Sequence, residues 1–319
     1  MTMLSRVADT LYWMSRYLER AEHTARLLDL QLNMMLESPT SAELRWQRIL
    51  DSLWVKPPAA RDAYSMTQWL TFDLSNDNSI FSCIAAAREN ARHVREQISS
   101  EMWEQVNLMA LRMRHFTIER IWDDQPHEFF RAIKEGCHLF QGITDSTMNH
   151  GEGWQFIQVG RYLERIDATA RLLDVHFHAF ADTPFQHTVE GETAEWIGLL
   201  KSCTAFEAYC KVYTADLRPG RIAEFLLLNA DFPHSIRFSA HCAHDALTEL
   251  EKLTESKRAR QVNRLAGRLR ALLDYGQIDE IMGGSGLGSV MLEVDSLVDR
   301  IHESTYQAYI TYPADEFAS

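Results

Sequence analysis

No run of about eighteen apolar residues occurs anywhere in this 319-residue chain, so no bilayer-spanning helix is expected. Its start also lacks a basic segment followed by an apolar one, and no secretory leader is expected. Glycine and proline are sparse, at 14 and 8 residues, which leaves little turn chemistry for the many short strands of a β-protein. Cysteine is limited to Cys83, Cys137, Cys203, Cys210 and Cys242. An odd number without a Cys-x-x-Cys pair implies no disulfide framework and suits a reducing compartment, so a soluble, cytoplasmic protein is expected. Basic residues are outnumbered, 32 against 45 acidic, for a net charge of −13. That balance argues against nonspecific binding to nucleic acid or an anionic membrane, although local basic patches stay open.

The remaining composition is rich in Ala, Leu, Arg, Glu and Met, and an all-α fold is expected. Arginine supplies 26 of the 32 basic residues. Its planar fork suits bidentate carboxylate pairing, although a GC-rich genome would give the same bias.

The most informative feature is a repeat. Arg16-Tyr17-Leu18-Glu19-Arg20 and Thr24-Ala25-Arg26-Leu27-Leu28-Asp29 return 145 positions later as Arg161-Tyr162-Leu163-Glu164-Arg165 and Thr169-Ala170-Arg171-Leu172-Leu173-Asp174. Apolar positions 11, 14, 18, 21, 25, 28 and 32, and their counterparts 156, 159, 163, 166, 170, 173 and 177, step by three and four. Two long helices are predicted. Trp46, Ile49, Leu50 and Ser52 match Trp196, Leu199, Leu200 and Ser202 at a separation of 150; Ser79-Ile80 matches Ser235-Ile236 at 156, each serine standing as a helix N-cap. The pattern breaks at Asn149-His150-Gly151-Glu152-Gly153, so halves 1–148 and 149–319 are expected, related by a pseudo-twofold axis and packed as one continuous bundle.

At about 100° per residue, the seam of the first repeated helix lies opposite Arg16, Glu19, Arg20 and Arg26, and Arg161, Glu164, Arg165 and Arg171 repeat that display. Leu27 and Leu172 lie among these charges, which suggests partial burial. Three readings compete: a salt-bridge lattice that fixes helix docking, a cleft whose arginines bind an anion and whose glutamates accept an amine or amide, or a plain solvated surface. A second cluster, Arg88-Glu89-Asn90-Ala91-Arg92, loses its arginines in the other copy, which favours a single site in the first half or across the axis.

Familiar catalytic patterns are missing. Glu135-x-x-His138 is the one Glu-x-x-His, where a di-metal bundle needs two, and His241-x-x-His244 is an ordinary coincidence among 13 histidines, so no metal or cofactor is expected. The glycines between 283 and 288 lack a preceding strand and a Lys-Ser/Thr ending, and read as a connection between helices. The eight tryptophans read mostly as core or helix-interface residues.

The opening Met3-Leu4-Ser5-Arg6-Val7-Ala8, with Leu11-Tyr12-Trp13 and Arg16 to Glu22, resembles the start of the bacterial alpha-E family. The likeness continues through Ala87 to Arg92, Gly160 to Arg165 and Asp231-Phe232-Pro233-His234-Ser235-Ile236-Arg237, where the family's usual basic residue in the Phe-Pro-x-Ser stretch appears as histidine, a mild departure. The resemblance implies a cytoplasmic helical domain encoded beside, or fused to, a circularly permuted ATP-grasp ligase and a transglutaminase-like protein. It assigns no catalytic residue. The expected function is therefore an accessory or substrate-binding component of a peptide- or amide-forming system, with Arg16, Glu19, Arg20, Arg26, Arg88, Glu89, Arg161, Glu164, Arg165 and Arg171 as the candidate charged cleft. The alternative is an enzyme in its own right, with Glu19 or Glu164 as base and Arg16, Arg20, Arg161 and Arg165 as an anion site.

Overall fold

The computed structural model describes residues 3–37, 42–56, 58, 60–123, 126–181, 189–214, 216–254, 256, 258–284 and 286–310. All regular structure among the described residues is helical. The first half holds α1 (Ser5–Glu37), α2 (Ala42–Leu53), α3 (Ala63–Thr71), α4 (Ile80–His93), α5 (Ser100–Met113), α6 (Ile118–Asp123) and α7 (Pro126–Thr147). The second holds α8 (Glu152–Ala181), α9 (Val189–Ser202), α10 (Phe206–Tyr213), α11 (Pro219–Leu228), α12 (Ile236–Thr254), α13 (Ala259–Asp274), α14 (Ile278–Gly283) and α15 (Leu287–Thr305), which ends in a π-helical turn at Tyr306–Ile310. Gly284 and Gly286 lie between α14 and α15, and Ser285 is outside the described residues.

The two seams organise the interior. Every seam residue from Leu11 to Leu32 is buried, as is every one from Phe156 to Leu173. Ser79 Oγ caps α4 by accepting from Ser82 N at 3.1 Å, and Ser235 Oγ caps α12 by accepting from Phe238 N at 3.0 Å. Helices α1, α4, α5 and α7 pack around one another as a four-helix set, and α8, α12, α13 and α15 form another. The sets join along α1 and α8, and α2 and α9 each reach across, α2 packing on α8 and α9 on α1. One hydrophobic core runs through both sets.

The contact between the long helices is close because both are small at the crossing. Ser15 Oγ donates to Ile157 O at 2.8 Å, and a Cβ added to Gly160 would lie 2.5 Å from Ser15 Oγ and against the Tyr12 carbonyl. Ser15 and Gly160 are themselves 145 residues apart, the interval of the charged repeat.

Gly160→Ala is therefore expected to force α1 and α8 apart and lower stability by about 1–3 kcal/mol, as overpacking does. Gly142→Ala, on an exposed part of α7 with nothing within 4 Å of the added carbon, should raise it by about 0.5–1 kcal/mol. Urea unfolding midpoints of the two variants should move in opposite directions.

Candidate functional site

One turn beyond the Ser15–Gly160 contact, each long helix carries a Glu-Arg dipeptide, and the close approach presses the two together out of water. Arg165 donates to Glu19 from Nη2 at 2.8 Å and from Nε at 3.2 Å. In return Arg20 donates to Glu164 from Nε at 2.6 Å and Nη2 at 3.1 Å. Gln141 of α7 donates to Glu19 at 2.5 Å, and Arg20 Nη1 donates to Asn78 at 2.8 Å. Arg16 adds a second layer, with Nε 2.6 Å from Glu164 and Nη2 3.0 Å from Asp167.

Beside this lattice lies a cavity of about 200 Å³. Of the expected cleft residues, Glu19, Arg20, Glu164, Arg165 and Arg171 line it. Arg16 stands behind it through Glu164 and Asp167. Arg26 turns instead to an ion pair with Glu22, one turn back on α1, and Arg161 reaches Gln158 at 3.2 Å and Asp145 at 3.7 Å, away from the cavity.

The structure does not bring Arg88 and Glu89 to this place. The buried face of α4 is Ile80, Cys83, Ile84, Ala87 and Ala91, and the helical period turns the two charged residues off it. Arg88 Nε donates to Asn107 of α5 at 2.7 Å with its guanidinium 5.6 Å from the Trp103 ring, while Glu89 pairs with Arg92 at 2.5 Å on the exposed surface.

Several lining residues escaped the sequence reading: Glu22, His23, Trp54, Asn78, Asp167 and His234. A signal existed for some. Glu22 and Asp167 are both acids at the repeat interval of 145, and Asn78 and His234 precede the two capping serines at an interval of 156. Trp54 also departs from the core reading given to the tryptophans, being 70% exposed, with its ring 4.5 Å from the Arg171 guanidinium. Its backbone is left-handed, φ 53°, and so is that of Thr204, φ 53°, at the end of α9.

The electrostatics divide the acids. Burial pushes the Glu164 carboxyl up, but Arg16 and Arg20 outweigh it and hold the group down at about 2. Glu22 is held far below its usual range against the same burial by a hydrogen bond from His138 and by Arg26. Asp167 goes the other way: burial lifts it to about 6 despite Arg16 and Arg171. Burial also lowers His23 to about 4 and His234 well below the ordinary value, so both imidazoles are neutral near pH 7. Three buried polar atoms of the lining have no hydrogen-bond partner among the described residues: His23 Nε2, Asp167 Oδ1 and Arg171 Nε.

No activated nucleophile is built here. Burial raises the Cys203 thiol to about 12, so it is not a thiolate near neutrality. Ser52 and Ser202 Oγ donate to their own helices, to Ile49 O and Gly198 O, each at 2.9 Å. Among the described residues no group of three His, Cys, Asp or Glu side chains is placed to hold a metal ion, and His138 lies 3.5 Å from Glu22 instead. The arrangement offers recognition of charge among largely buried side chains.

Two outcomes follow for stability. Arg165→Met leaves Glu19 buried without its main partner and should cost about 3–5 kcal/mol, while Glu19→Gln combined with Arg165→Met should recover much of it, read as a double-mutant cycle in urea. The pH dependence has opposite signs at the two acids. Glu164, lowered from 4.5 to about 2, contributes stability that is complete above its unfolded value and lost as the pH falls toward 2. Asp167, raised from 3.8 to about 6, holds a proton in the fold that the unfolded chain releases, so its effect on stability worsens as the pH rises between those values. In thermal melts the deficit of Glu164→Gln relative to the parent should shrink as the pH is lowered below about 4.5, and Asp167→Asn should gain on the parent as the pH rises from about 4 to about 6.

An uncharacterised protein of Mycobacterium bovis is 23% identical over 295 residues, which cover 83% of this chain and 32% of that protein. An uncharacterised protein of Mycobacterium tuberculosis strain H37Rv is 22% identical over the same length and coverage. The chain thus spans about a third of the length of the curated relatives it matches. No solved structure matches it. Residues 3–310 match the Alpha-E family, described as a predicted alpha-helical domain with a conserved ER motif, a description that the Glu-Arg dipeptides 19–20 and 164–165 answer. With nearly its whole length matched, the chain belongs to the Alpha-E family.

Proposed function

We propose that this Alpha-E protein is the substrate-holding component of a bacterial peptide- or amide-forming system in the cytoplasm, acting with a circularly permuted ATP-grasp ligase and beside a transglutaminase-like protein. The observation that carries the substrate role is the cavity at the α1–α8 crossing, where three buried polar atoms of opposite character lack partners among the described residues. Buried polar groups are ordinarily hydrogen-bonded, so a cluster of unpartnered ones in a cavity is a binding feature. The partner rests on the family resemblance. It is supported by the matched region's being a third of longer relatives, a length that leaves room for attached activities.

In the same reading the two four-helix sets are copies of an ancestral unit related by a pseudo-twofold axis through the Ser15–Gly160 contact. The reciprocal Glu19–Arg165 and Arg20–Glu164 pairs and the exchange of α2 and α9 across the long helices support this arrangement. The cavity then lies against the axis and draws residues from both copies.

An enzyme remains as a second reading, favoured by one observation. Asp167, lifted to about 6 with a free Oδ1, suits a general base better than Glu164, which two arginines hold ionised at about 2.

The test couples binding to activity. Tagged parent protein should capture the ATP-grasp ligase and raise its ATP-dependent amide formation. Arg171→Met, at a position outside the buried lattice, should melt like the parent and still capture the ligase, yet lose that stimulation. Absence of both capture and stimulation with the parent would remove the ligase role. Amide chemistry by the parent alone, lost in Asp167→Asn, would establish the enzyme instead.

A further inference from the structure

We propose that the cavity binds a free α-amino acid as its zwitterion, with the carboxylate on Arg171, the ammonium on Asp167 Oδ1 and the Trp54 indole over the mouth. This rests on reading the cavity as a binding site and names the ligand class. The assignment comes from asking which charges of the lining are already engaged. Glu19 is held by Arg165, Glu164 by Arg16 and Arg20, and Glu22 by Arg26. Arg171 forms no ion pair among the described residues, and its Nε has no hydrogen-bond partner. Asp295 of α15 feels the Arg171 charge without pairing with it. Among the described residues Asp167 is engaged through Oδ2 alone, and Oδ1 has no partner although the residue is only 6% exposed.

One cationic donor and one anionic acceptor are therefore left, four residues apart on the same face of α8, which is about 6 Å along the axis. They do not bridge each other. A bare anion would satisfy Arg171 while facing the Asp167 carboxylate, and a bare amine would satisfy Asp167 while facing the guanidinium. A ligand that carries an ammonium and a carboxylate on the same carbon pairs each end and brings no net charge into a desolvated site. The burial that lifts the Asp167 carboxyl toward 6 is offset by an incoming ammonium. His23 Nε2, neutral and unpartnered, supplies a third contact to either end.

Size and mouth agree. About 200 Å³ accommodates a small amino acid and falls short of the roughly 300–1,000 Å³ of sites for larger ligands such as a nucleotide. Trp54 holds a left-handed backbone that disfavours a bulky residue, at the end of α2, where Val55 N donates to Leu50 O at 3.3 Å. The same turn at Thr204 has Ala205 N donating to Leu200 O at 2.7 Å but presents only a threonine. The strained turn thus serves, in one copy, to stack an indole on the guanidinium that receives the carboxylate.

Each proteinogenic L-amino acid is tested by thermal shift and titration calorimetry against the full chain. The expected result is binding by one or a few small amino acids, with the amine-lacking and carboxylate-lacking analogues of each at least about tenfold weaker. Arg171→Met and Asp167→Asn should each weaken binding by about tenfold or more without lowering the melting temperature to match, and Trp54→Ala by a smaller factor. Arg171→Lys, which keeps the charge, guards against a folding artefact and should fall between Arg171→Met and the parent. Binding by no amino acid, or equal binding by both analogues, overturns the zwitterion. If acetate or ethylamine then binds in a manner lost in Arg171→Met or Asp167→Asn, the cavity stands as a binding site and only the ligand class has failed. If none of these probes binds, the substrate-holding reading fails with it.

Discussion

The reciprocal exchange of carboxylate and guanidinium between α1 and α8 is the interaction on which the rest of the molecule turns. Two helices that carry Glu-Arg at matching positions can bury those charges against each other in one register alone, because a shift of one residue would point a desolvated carboxylate at a carboxylate. The net contribution of such pairs to stability is modest, since the attraction offsets a desolvation penalty of similar size. Their effect is on which arrangement is possible. The Ser15–Gly160 contact makes the constraint effective by letting the two backbones approach until the side chains have no water to turn to.

The cavity follows from the incompleteness of the same lattice. Helix α1 offers Glu22 and Arg26 to each other, and helix α8 has Asp167 and Arg171 at the corresponding places. The α8 pair does not close: Asp167 is drawn by Arg16 across the crossing, and Arg171 is covered by Trp54. Two copies of one motif thus end in different states, one neutralised internally and one left open. A site at the crossing of two helices acquires polarity in this way, even though each helix carries similar residues.

Much of the fold could be read from the chain. The three-four stepping of Leu11 to Leu32 and of Phe156 to Leu173 marks both long helices, and Ser79 and Ser235 mark the starts of α4 and α12, because periodicity and capping are local properties. The candidate site was legible only in part. Glu19, Arg20, Glu164, Arg165 and Arg171 reach the cavity, whereas Arg88 and Glu89, read from the same kind of charged pattern, sit against α5 and on the surface. A helical wheel tells which residues share a face and is silent about what that face meets. Trp54 could not be placed from pattern, since it depends on a left-handed turn at a helix end, and His234, although it precedes a capping serine at the interval of 156, reaches the cavity only because α12 packs on α8.

The sequence by itself determined that the chain is helical, that it carries a charged motif twice, and which residues point inward along each long helix, because those properties are set within a few turns of backbone. Only the tertiary structure decided which arginine answers which glutamate, that Asp167 Oδ1 and Arg171 Nε are left without partners among the described residues, and that Trp54 stands against Arg171. The physical reason is desolvation: the behaviour of a buried charge depends on every group brought within a few ångströms, and those groups come from helices far apart in the chain.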